Sequence, residues 1–479
     1  MASLVFKWFE AALVAVFMVL VGRVMVLTVW EGSYYRELAE GNRVEVVDLP
    51  ADRGVMYDRN GVQLVRNTPE GREYIFGKAL AHVLGHVGEI SQFEGDTVGK
   101  VGLEKEYDAV LSGQDGALLV EKDAEGKLVR EVGRKDPVAG ESLELTVDVS
   151  LQQKAFQVLA GRLGAVIASD SQTGEILALV SGPAFDPNKV EEALADSKLP
   201  LFDRATSGEY PPGSVFKVVT ATAGLEEGRV NESTQIEDTG EIVIGDFRYG
   251  NWYYDQYGRK EGLLNIVRAI ARSNDIFFYK MGEALGITAL SDWAKYFGVG
   301  RAVGIDLPGE ANGLMPDPDW KQKYIGESWY LGDTYISAIG QGNILMTPLQ
   351  VNQMMSIVAS GGRWCRPHLV KSETNCQKLD ISNKTIATVT EGLKQVTETG
   401  GTAWPFFDFT VDGERLLVAG KTGTAEYGDP DDKTHAWFTA FAPADEPEIV
   451  VTVLLEGAGE GSNEAAPVAK ELLAEWFRR

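Results

Sequence analysis

The sequence predicts an α+β fold in which helices cover one antiparallel β-sheet, preceded by a β-rich extension and an N-terminal membrane helix. Three observations lead to this prediction. An apolar run opens the chain, short β-prone runs with turn residues follow it, and then come two strands, many helices, three strands and a last helix. Strands at both ends of a segment pair most simply as one sheet with helices packed on it. We therefore divide the chain into an anchor (1–30), a β-rich extension (31–150) and a C-terminal domain (151–479).

The N-terminal run is long and apolar enough to cross a bilayer. From Leu4 to Trp30 its charged residues are Lys7, Glu10 and Arg23, and about 20 apolar residues are enough to cross the hydrocarbon. Aromatic residues at both ends match interfacial belts. No small-residue cleavage site follows, so we predict an uncleaved anchor. Two interpretations of Arg23 stay open, a position near the interface and a contact with a partner helix.

The net charge and the spacing of histidines and cysteines argue against two classes of function, nucleic-acid binding and metal binding. The 479 residues carry a net charge of −25, which argues against a nucleic-acid partner because phosphate binding needs basic patches. Cys365 and Cys376 are close enough in sequence to form one loop bridge, and two inert free thiols are an equal alternative. His82 and His86 have zinc-helix spacing, but the glutamate of that motif is missing and Gly85 weakens a helix. The sequence predicts no metal site.

The C-terminal domain opens with a helix and a β-hairpin. Residues 150–164 have helical character, and "AVIASD" and "ILALVSG" are buried-strand runs on either side of the turn "SQTGE". Residues 213–400 are mostly helical segments with loops. Three β runs, "RLLVAGKTGTAEY", "HAWFTAFAP" and "EIVVTVLLEG", then precede the C-terminal helix "AAPVAKELLAEWFRR". These five strands are the ones predicted to form the sheet.

A serine and a lysine three residues apart begin the first helix after the hairpin. Ser214 and Lys217 stand in "YPPGSVFKVVTA", and a helix that starts after Gly213 places the serine where free N–H groups favour developing negative charge. Lys217 lies on the same face and can take the serine proton if its pKa is lowered. Alone, the pair is explained more simply as a helix N-cap and a solvated charge, so the assignment depends on the rest of the chain.

Two further segments carry matching chemistry. Ser273 and Asp275 stand in "ARSNDIFFYKMG", and residues 421–424 stand in "VAGKTGTAEY". A cation, two hydroxyls and a glycine on a strand suit a substrate carboxylate whose backbone pairs with that strand. A phosphate loop would need glycine at the position of Arg415 and a helix after the lysine. We therefore reject nucleotide binding.

In this order the three motifs resemble the signature of the penicillin-binding proteins, the serine D,D-transpeptidases that crosslink peptidoglycan. "RGVMYDRNG" and "GKVGLEKEYDAVLSGQDG" are similar to pedestal motifs of class B members, and "IGQGNILMTPLQ" and "HAWFTAFAP" to landmarks of their transpeptidase domain. The resemblance implies the penicillin-binding and serine β-lactamase-like fold for the C-terminal domain, and a class B pedestal, or dimerisation-type domain, for the extension. S-x-D is frequent in elongation-type members, whereas division-type members usually have S-x-N.

The resemblance implies a catalytic role for five residues. Ser214 would attack the carbonyl between two terminal D-alanines, and Lys217 would accept its proton. The charge of Lys421 nearby would lower the pKa of Lys217. Ser273 would relay a proton to the leaving amine, and Asp275 would anchor Lys217 or the substrate amide.

The resemblance also implies what the protein binds. Thr422 and Thr424, beside Gly423, would hold the carboxylate of a stem peptide ending in D-Ala-D-Ala, and the N–H groups of Ser214 and Thr424 would form the oxyanion hole. β-Lactams would acylate the same serine. No cofactor is expected, and residues 276–330 lack the His and Cys that hold a metal in some elongation-type members.

A transpeptidase without its own polymerase implies a partner that makes glycan. No glycosyltransferase domain fits between the anchor and residue 150, which excludes class A. We expect a multi-spanning glycan polymerase of the elongation type, contacted through anchor and pedestal. The protein would be single-pass in the cytoplasmic membrane with its catalytic domain extracytoplasmic.

Three alternative functions are carried forward. They are a division-type class B transpeptidase, a D,D-carboxypeptidase or β-lactamase-like hydrolase, and a non-catalytic scaffold or sensor. Glu261 in "EGLLN" has the spacing of a lactamase glutamate. It precedes the middle motif instead of following it, so we interpret it as the start of the helix that leads to Ser273.

Overall fold

The structure is a computed structural model of the chain, and it describes residues 2–41, 43–69, 71–89, 97–123 and 126–478. Contacts between residues divide the chain into two compact units. The first unit comprises Met1–Gly54 and Ala109–Glu141, and the second comprises Val55–Asp108 and Ser142–Arg479. The second unit thus includes part of the predicted extension together with all three motifs. The predicted domain boundaries at residues 30 and 150 do not coincide with the boundaries of these two units. They remain a prediction.

The N-terminal segment of the first unit is an apolar helical run. An α-helix spans Ala2–Met25, a π-helical turn spans Val26–Trp30 and a second α-helix spans Gly32–Gly41. Ser3–Trp30 is a candidate membrane span of 28 residues with a mean hydropathy of 2.5, and none of it is buried in the chain. It coincides with the predicted single-pass anchor. Arg23 lies 3.9 Å from Glu31 at the C-terminal end of the span, which agrees with a side chain that reaches toward the interface.

The rest of the first unit centres on a small antiparallel sheet, here called the N-terminal sheet. Its strands, in spatial order, are Val44–Leu49, Gly116–Lys122 and Leu128–Lys135. Nearly every residue of the two outer strands is exposed. The sheet therefore buries little apolar surface, although its strands are rich in Val and Leu.

Short strand pairs and helical turns make up the part of the second unit that precedes residue 150. The pairs are Met56–Tyr57 with Leu143–Glu144, Val65–Thr68 with Gly71–Tyr74, and His86–Glu89 with Thr97–Val101. The helical turns are Gly77–Leu80, Ala81–Leu84 and Gly102–Glu106, and a further turn, Asp108–Leu111, begins at the last residue of this stretch and continues into the first unit. Arg72 and Glu104 form an ion pair in this region, with side chains 4% and 0% exposed.

A five-stranded antiparallel sheet, the core sheet, is the centre of the second unit, as predicted. In spatial order its strands are Ile176–Gly182, Gly164–Asp170, Ile449–Leu455, Thr434–Ala442 and Ala419–Glu426. Successive side chains of a strand point to opposite faces, and Ile449–Leu455 is buried along its whole length. Both faces of the sheet are therefore covered. Ala419–Glu426 lies at one end of the sheet, is called the edge strand below, and carries the K-T-G motif.

Helices supply this cover. The α-helices of the second unit after residue 145 are Val149–Leu159, Lys217–Glu226, Trp252–Tyr257, Ile266–Arg272, Asp275–Tyr296, Pro318–Tyr324, Leu331–Ala338, Pro348–Ala359, Asn383–Val396 and Ala465–Phe477. Turns of 3-10 helix are Val190–Ala193, Gly213–Phe216 and Trp404–Phe406. The first α-helix ends five residues before the predicted end, because Ala160 has a left-handed φ of 53°.

Residues 213–400 contain short strands that the sequence analysis missed. Counting one pair just beyond residue 400, the pairs are Ile236–Asp238 with Gly262–Leu264, Glu241–Ile244 with Phe247–Gly250, Arg363–Cys365 with Cys376–Lys378, and Thr410–Val411 with Glu414–Arg415. Strands of two to four residues are too short to show an alternating pattern. Cys365 and Cys376 lie opposite each other and form a disulfide, which decides between the two alternatives left open above.

Candidate active site

The three motifs meet at one cavity in the second unit. Its volume is about 660 Å³. The motif residues that line it are Ser214, Ser273, Asp275, Thr422, Gly423 and Thr424. They come from a helical turn, from the junction of two helices, and from the edge strand. Segments far apart in sequence thus form one surface, as the predicted function requires.

Ser214 lies in a tight turn that depends on a glycine. Gly213–Phe216 forms 3-10 helix and the α-helix begins at Lys217, so the helix predicted after Gly213 opens with a turn of 3-10 helix. Gly213 has a φ of 56°, and a Cβ there would lie 2.7 Å from the carbonyl oxygen of Thr424. The turn therefore brings the backbone of Ser214 close to the edge strand, with its half-buried side chain at the cavity.

Lys217 is fully buried behind the cavity wall. Its Nζ lies 2.8 Å from the carbonyl oxygen of Ser273, 3.3 Å from the Ser273 hydroxyl and 2.6 Å from Oδ1 of Asp275. Burial lowers the pKa of the Lys217 ammonium, and the carboxylate of Asp275 opposes that effect. An amine whose proton is destabilised in this way is suited to act as a base.

Lys421 is also fully buried, and it reaches the same hydroxyl from the edge strand. Its Nζ donates to Ser273 Oγ at 2.9 Å and to the Thr422 carbonyl at 2.9 Å. Burial lowers the pKa of Lys421 well below its usual value, and the charge of Lys217 lowers it further. Burial is the largest cause of the lowered pKa for both lysines, and the repulsion between their charges adds to it.

The hydroxyl of Ser273 stands between the two lysines. Ser273 has a left-handed backbone with a φ of 52°, at the point where one helix ends and the next begins. This conformation is uncommon for a residue with a side chain. A hydroxyl that accepts from two lysines keeps its own proton available for donation into the cavity, which a proton relay requires.

Asn274 and Asp275 point in different directions. One oxygen of Asp275 accepts from Lys217, and the other accepts from the backbone N–H of Trp252 at 3.0 Å. The amide of Asn274 is buried, caps the following helix and donates to Glu261 at 3.2 Å. The first and third residues of the S-x-D motif thus line the cavity. The side chain of the middle residue, Asn274, points away from it and fixes the backbone through its bonds to Glu261 and Phe277.

The edge strand presents Thr422, Gly423 and Thr424 to the cavity. The hydroxyls of Thr422 and Thr402 lie 2.8 Å apart. A Cβ at Gly423 would lie 3.0 Å from the side chain of Val215, so glycine lets the serine turn approach the strand. A strand with one unpaired side can pair with an extended peptide. The site therefore offers a peptide-binding edge beside a hydroxyl nucleophile.

The structure brings Ser214 and Lys217 to the same wall without joining them directly. Among the described residues, the hydrogen bonds of Lys217 Nζ go to Ser273 and Asp275, and none goes to Ser214. Catalytic hydrogen bonds are often loose in the absence of substrate. For Lys217 to act as the base, it must exchange one present contact for the Ser214 hydroxyl.

The sequence analysis gave no site role to several residues that build the cavity. Trp252 and Tyr257 line it from the segment after the hairpin Glu241–Gly250, and Thr402 and Trp404 line it from the loop after helix Asn383–Val396. The dense aromatic run "WYYDQYG" was the available signal for the first segment. Among the residues that the structure describes, no three His, Cys, Asp or Glu side chains are grouped to hold a metal ion.

The interpretation of Glu261 as the start of a helix is wrong. Glu261 precedes a short strand, and the helix that leads to Ser273 begins at Ile266, with Asn265 as its N-cap. The carboxylate of Glu261 pairs with Arg272, and both side chains are nearly buried, 9% and 14% exposed. Glu261 therefore contacts Arg272 and Asn274, the two neighbours of Ser273, without lining the cavity itself.

Two protein-family models match the chain. The penicillin binding protein transpeptidase domain matches residues 164–474, and the penicillin-binding protein dimerisation domain matches residues 68–145. The first match spans more than half of the chain and contains all three motifs.

Relatives and solved structures agree with these matches. The chain is 34% identical to peptidoglycan D,D-transpeptidase MrdA of Acinetobacter baumannii over 473 residues. The aligned region covers 88% of this chain and 68% of that protein. The crystal structure of Pseudomonas aeruginosa PBP2 in complex with WCK 5153 has a TM-score of 0.80 at 34% identity, covering 91% of this chain and 97% of that one. A structure on the coordination of polymerization and crosslinking by a peptidoglycan synthase complex has a TM-score of 0.81 at 28% identity, covering 98% of both chains.

Proposed function

This chain belongs to the penicillin-binding protein transpeptidase family and is a serine-type peptidoglycan D,D-transpeptidase of the elongation type, and we propose that Ser214 is the residue it acylates. The observation that carries the proposal is the convergence of three distant segments on one cavity. There a half-buried hydroxyl, a second hydroxyl between two buried lysines and an unpaired strand edge lie together. These are the parts that a serine acyl transfer requires.

In the first half-reaction, Ser214 Oγ attacks the carbonyl carbon between the two terminal D-alanines of a donor stem peptide. Its proton passes to Lys217, whose charged form is disfavoured by burial. The N–H groups of Ser214 and Thr424 donate to the developing oxyanion, each worth about 3–4 kcal/mol. The C–N bond then breaks, and the departing D-alanine takes a proton from the Ser273 hydroxyl, which a neighbouring lysine replenishes.

The donor carboxylate lies against Thr422 and Thr424, with Gly423 between them. Lys421 sits behind this position, and its pKa is lowered well below the usual value. An anionic carboxylate nearby favours the charged form of a lysine. Substrate binding therefore shifts the pKa of Lys421 upward and favours its charged form.

In the second half-reaction, an amine of a neighbouring stem peptide attacks the ester carbonyl on Ser214. A new amide bond forms, the ester C–O bond breaks and Ser214 Oγ recovers a proton. Water in place of the amine gives carboxypeptidase activity. A β-lactam forms the same kind of ester and blocks the serine.

The N-terminal span anchors the chain in the membrane, and the partners belong to peptidoglycan synthesis. We place the catalytic domain on the extracytoplasmic side, since disulfides such as Cys365–Cys376 persist in oxidising compartments. An external protease added to spheroplasts should then degrade the catalytic domain. Protection from the protease while the membrane is intact would place the domain in the cytoplasm.

The glycan polymerase is proposed to be a multi-spanning protein of the elongation type. The support is that the matched family domains serve crosslinking and dimerisation, and that one solved relative lies in a complex described as polymerizing and crosslinking. Co-purification from membranes should recover the polymerase with the full chain and much less with a variant that lacks residues 1–30. Equal recovery would exclude a contribution of the anchor.

Covalent labelling of the full chain by a fluorescent penicillin tests the nucleophile. We expect the wild type to be labelled and Ser214→Ala to be unlabelled. Ser207→Ala is the matched control, because Ser207 is a half-buried serine outside the cavity that donates to the Gly309 carbonyl, and it should label normally. Labelling of Ser214→Ala would refute the assignment. A folded wild type without label would support the scaffold, and rapid drug turnover would support the hydrolase.

A further inference from the structure

We propose that Glu261 is a positioning residue that holds Ser273 in its left-handed conformation between Lys217 and Lys421. The inference extends the proposed function, because it takes the Ser273 hydroxyl as the proton relay. It rests on the contacts of one nearly buried carboxylate that the catalytic mechanism itself does not use.

The carboxylate of Glu261 ties down both sequence neighbours of Ser273. One oxygen accepts from Nε of Arg272, and the other accepts from the side-chain amide of Asn274 at 3.2 Å. The residues immediately before and after the serine are therefore fixed to a single anchor. Rotation of the backbone at Ser273 requires at least one of these two contacts to break.

The conformation that this anchor holds is unfavourable in isolation. Ser273 has a φ of 52°, and its N–H donates to the Ile270 carbonyl at 3.1 Å, which ends the helix. A residue with a Cβ persists in the left-handed region only where its surroundings impose it, and such residues cluster at active sites. In this conformation the hydroxyl lies 3.3 Å from Lys217 Nζ and 2.9 Å from Lys421 Nζ. The backbone geometry of Ser273 and its contacts with the lysines are therefore linked.

Arg272 extends the anchor to two other walls of the cavity. Its guanidinium lies over the rings of Trp252 and Tyr253, at 5.5 Å and 5.1 Å from the ring centroids, and the indole N–H of Trp252 donates to the Arg272 carbonyl at 3.0 Å. The Arg272 guanidinium also donates to the Gly400 carbonyl at 3.0 Å, and Thr402 of the same loop contacts Thr422 on the edge strand. Loss of Glu261 therefore leaves a nearly buried guanidinium without its charge partner next to Ser273.

A competing explanation is that this ion pair serves the fold alone. The chain provides a comparison, since Arg72 and Glu104 are a second, even more buried ion pair and neither lines the cavity. Removing either carboxylate is expected to destabilise the protein. The two pairs differ in what they should do to the reaction, which makes Glu104 the control.

A double-mutant cycle separates positioning from stability. The rate of acylation by fluorescent penicillin is measured on the full chain in detergent for the wild type, Glu261→Ala, Ser273→Ala and the double variant. Glu261→Ala should slow acylation by about 10- to 100-fold, the size expected when a reacting group is misplaced. In the Ser273→Ala background the same change should cost less than about threefold, because the hydroxyl it positions is already absent. Equal losses in both backgrounds would overturn the proposal.

Two further variants control for a loss of stability and for a failure to fold. Glu104→Ala should lower the melting temperature at least as much as Glu261→Ala and leave acylation within about twofold of the wild type, because Glu104 bonds to Arg72 and Tyr74, which do not line the cavity. If Glu261→Ala does not fold, Glu261→Gln enters the same cycle, because it keeps the side-chain shape and removes the charge. An acylation rate of Glu261→Gln equal to that of the wild type would also overturn the proposal.

A crystallographic measurement tests the inference independently of catalysis. In Glu261→Ala or Glu261→Gln, Ser273 should leave the left-handed region, or its hydroxyl should move beyond about 3.5 Å, the limit of a hydrogen bond, from one lysine. Retention of the φ and of both lysine contacts would refute the role of Glu261. Failure of the wild type to be labelled counts against the proposed function instead, so the two failures are distinguishable.

Discussion

The chain contains two antiparallel sheets with opposite environments. In the N-terminal sheet the outer strands are exposed on both faces, and valines such as Val46 are more than half exposed. In the core sheet the central strand Ile449–Leu455 and its neighbour Gly164–Asp170 are buried on both faces. Both sheets are built from β-branched and aliphatic residues, so the difference lies in what covers them.

This difference explains why the chemistry belongs to the core sheet. A covered sheet excludes water, and a lysine that projects from it loses the hydration that stabilises its charge. Lys421 projects from the edge strand into such surroundings, whereas the lysines of the N-terminal sheet, such as Lys122, keep contact with solvent. The helices that cover the core sheet therefore stabilise the fold and also lower the pKa of the lysine that projects from it.

The largest expected effect comes from removing the buried base. Lys217→Ala should slow acylation by at least about 10³-fold, because the proposed proton acceptor of Ser214 is lost. Lys321→Ala is the matched control, since Lys321 is also nearly buried and paired with a carboxylate, Asp333, but lies outside the cavity. It should leave the rate unchanged. Stopped-flow acylation of both variants gives the comparison, and an unchanged rate for Lys217→Ala would remove it from the mechanism.

The next effect concerns the packing of the core sheet. Leu454 is fully buried in the strand Ile449–Leu455, and Leu454→Ala should cost about 3 kcal/mol of unfolding free energy through lost burial and the cavity left behind. The melting temperature of the second unit, followed by scanning calorimetry, reports the loss. A loss below about 1 kcal/mol, the size of an ordinary point substitution, would show that the cover of the sheet is looser than the structure indicates.

Much of the core sheet and the motif residues could be predicted from the sequence, because both have local signals. Continuous apolar runs identify buried strands, and fixed spacings identify Ser214, Lys217 and the K-T-G segment. The partners of Lys217 and the pairing of Glu261 with Arg272 could not be predicted, since they join segments that only the folded chain brings together. The left-handed φ of Ser273 had no signal either, because glycine or asparagine would normally mark such a position.

The pH dependence of the core sheet gives a smaller effect. Burial lowers the pKa of His435, in the strand Thr434–Ala442, to about 4. The unfolded chain, with a pKa near 6.5, binds the proton first, so stability is nearly complete at pH 7 and falls by about 2.5 kcal/mol as the pH drops to 4.5. Thermal unfolding between pH 7 and pH 4.5 should show this loss reduced in His435→Gln. His86→Gln, outside the core sheet, should keep the full loss, and an equal reduction in both variants would contradict the assignment to His435.

The smallest effect is expected in the N-terminal sheet. Val46 lies in the strand Val44–Leu49 with 56% of its surface exposed, so Val46→Ala removes few contacts and should change stability by less than about 0.5 kcal/mol. The measurement is the thermal unfolding of the first unit in the full chain, next to Leu454→Ala in the second unit. A loss at Val46 as large as that at Leu454 would mean that this face is covered in solution. The N-terminal sheet would then be covered by another molecule, and the difference in exposure between the two sheets would not be a property of this chain alone.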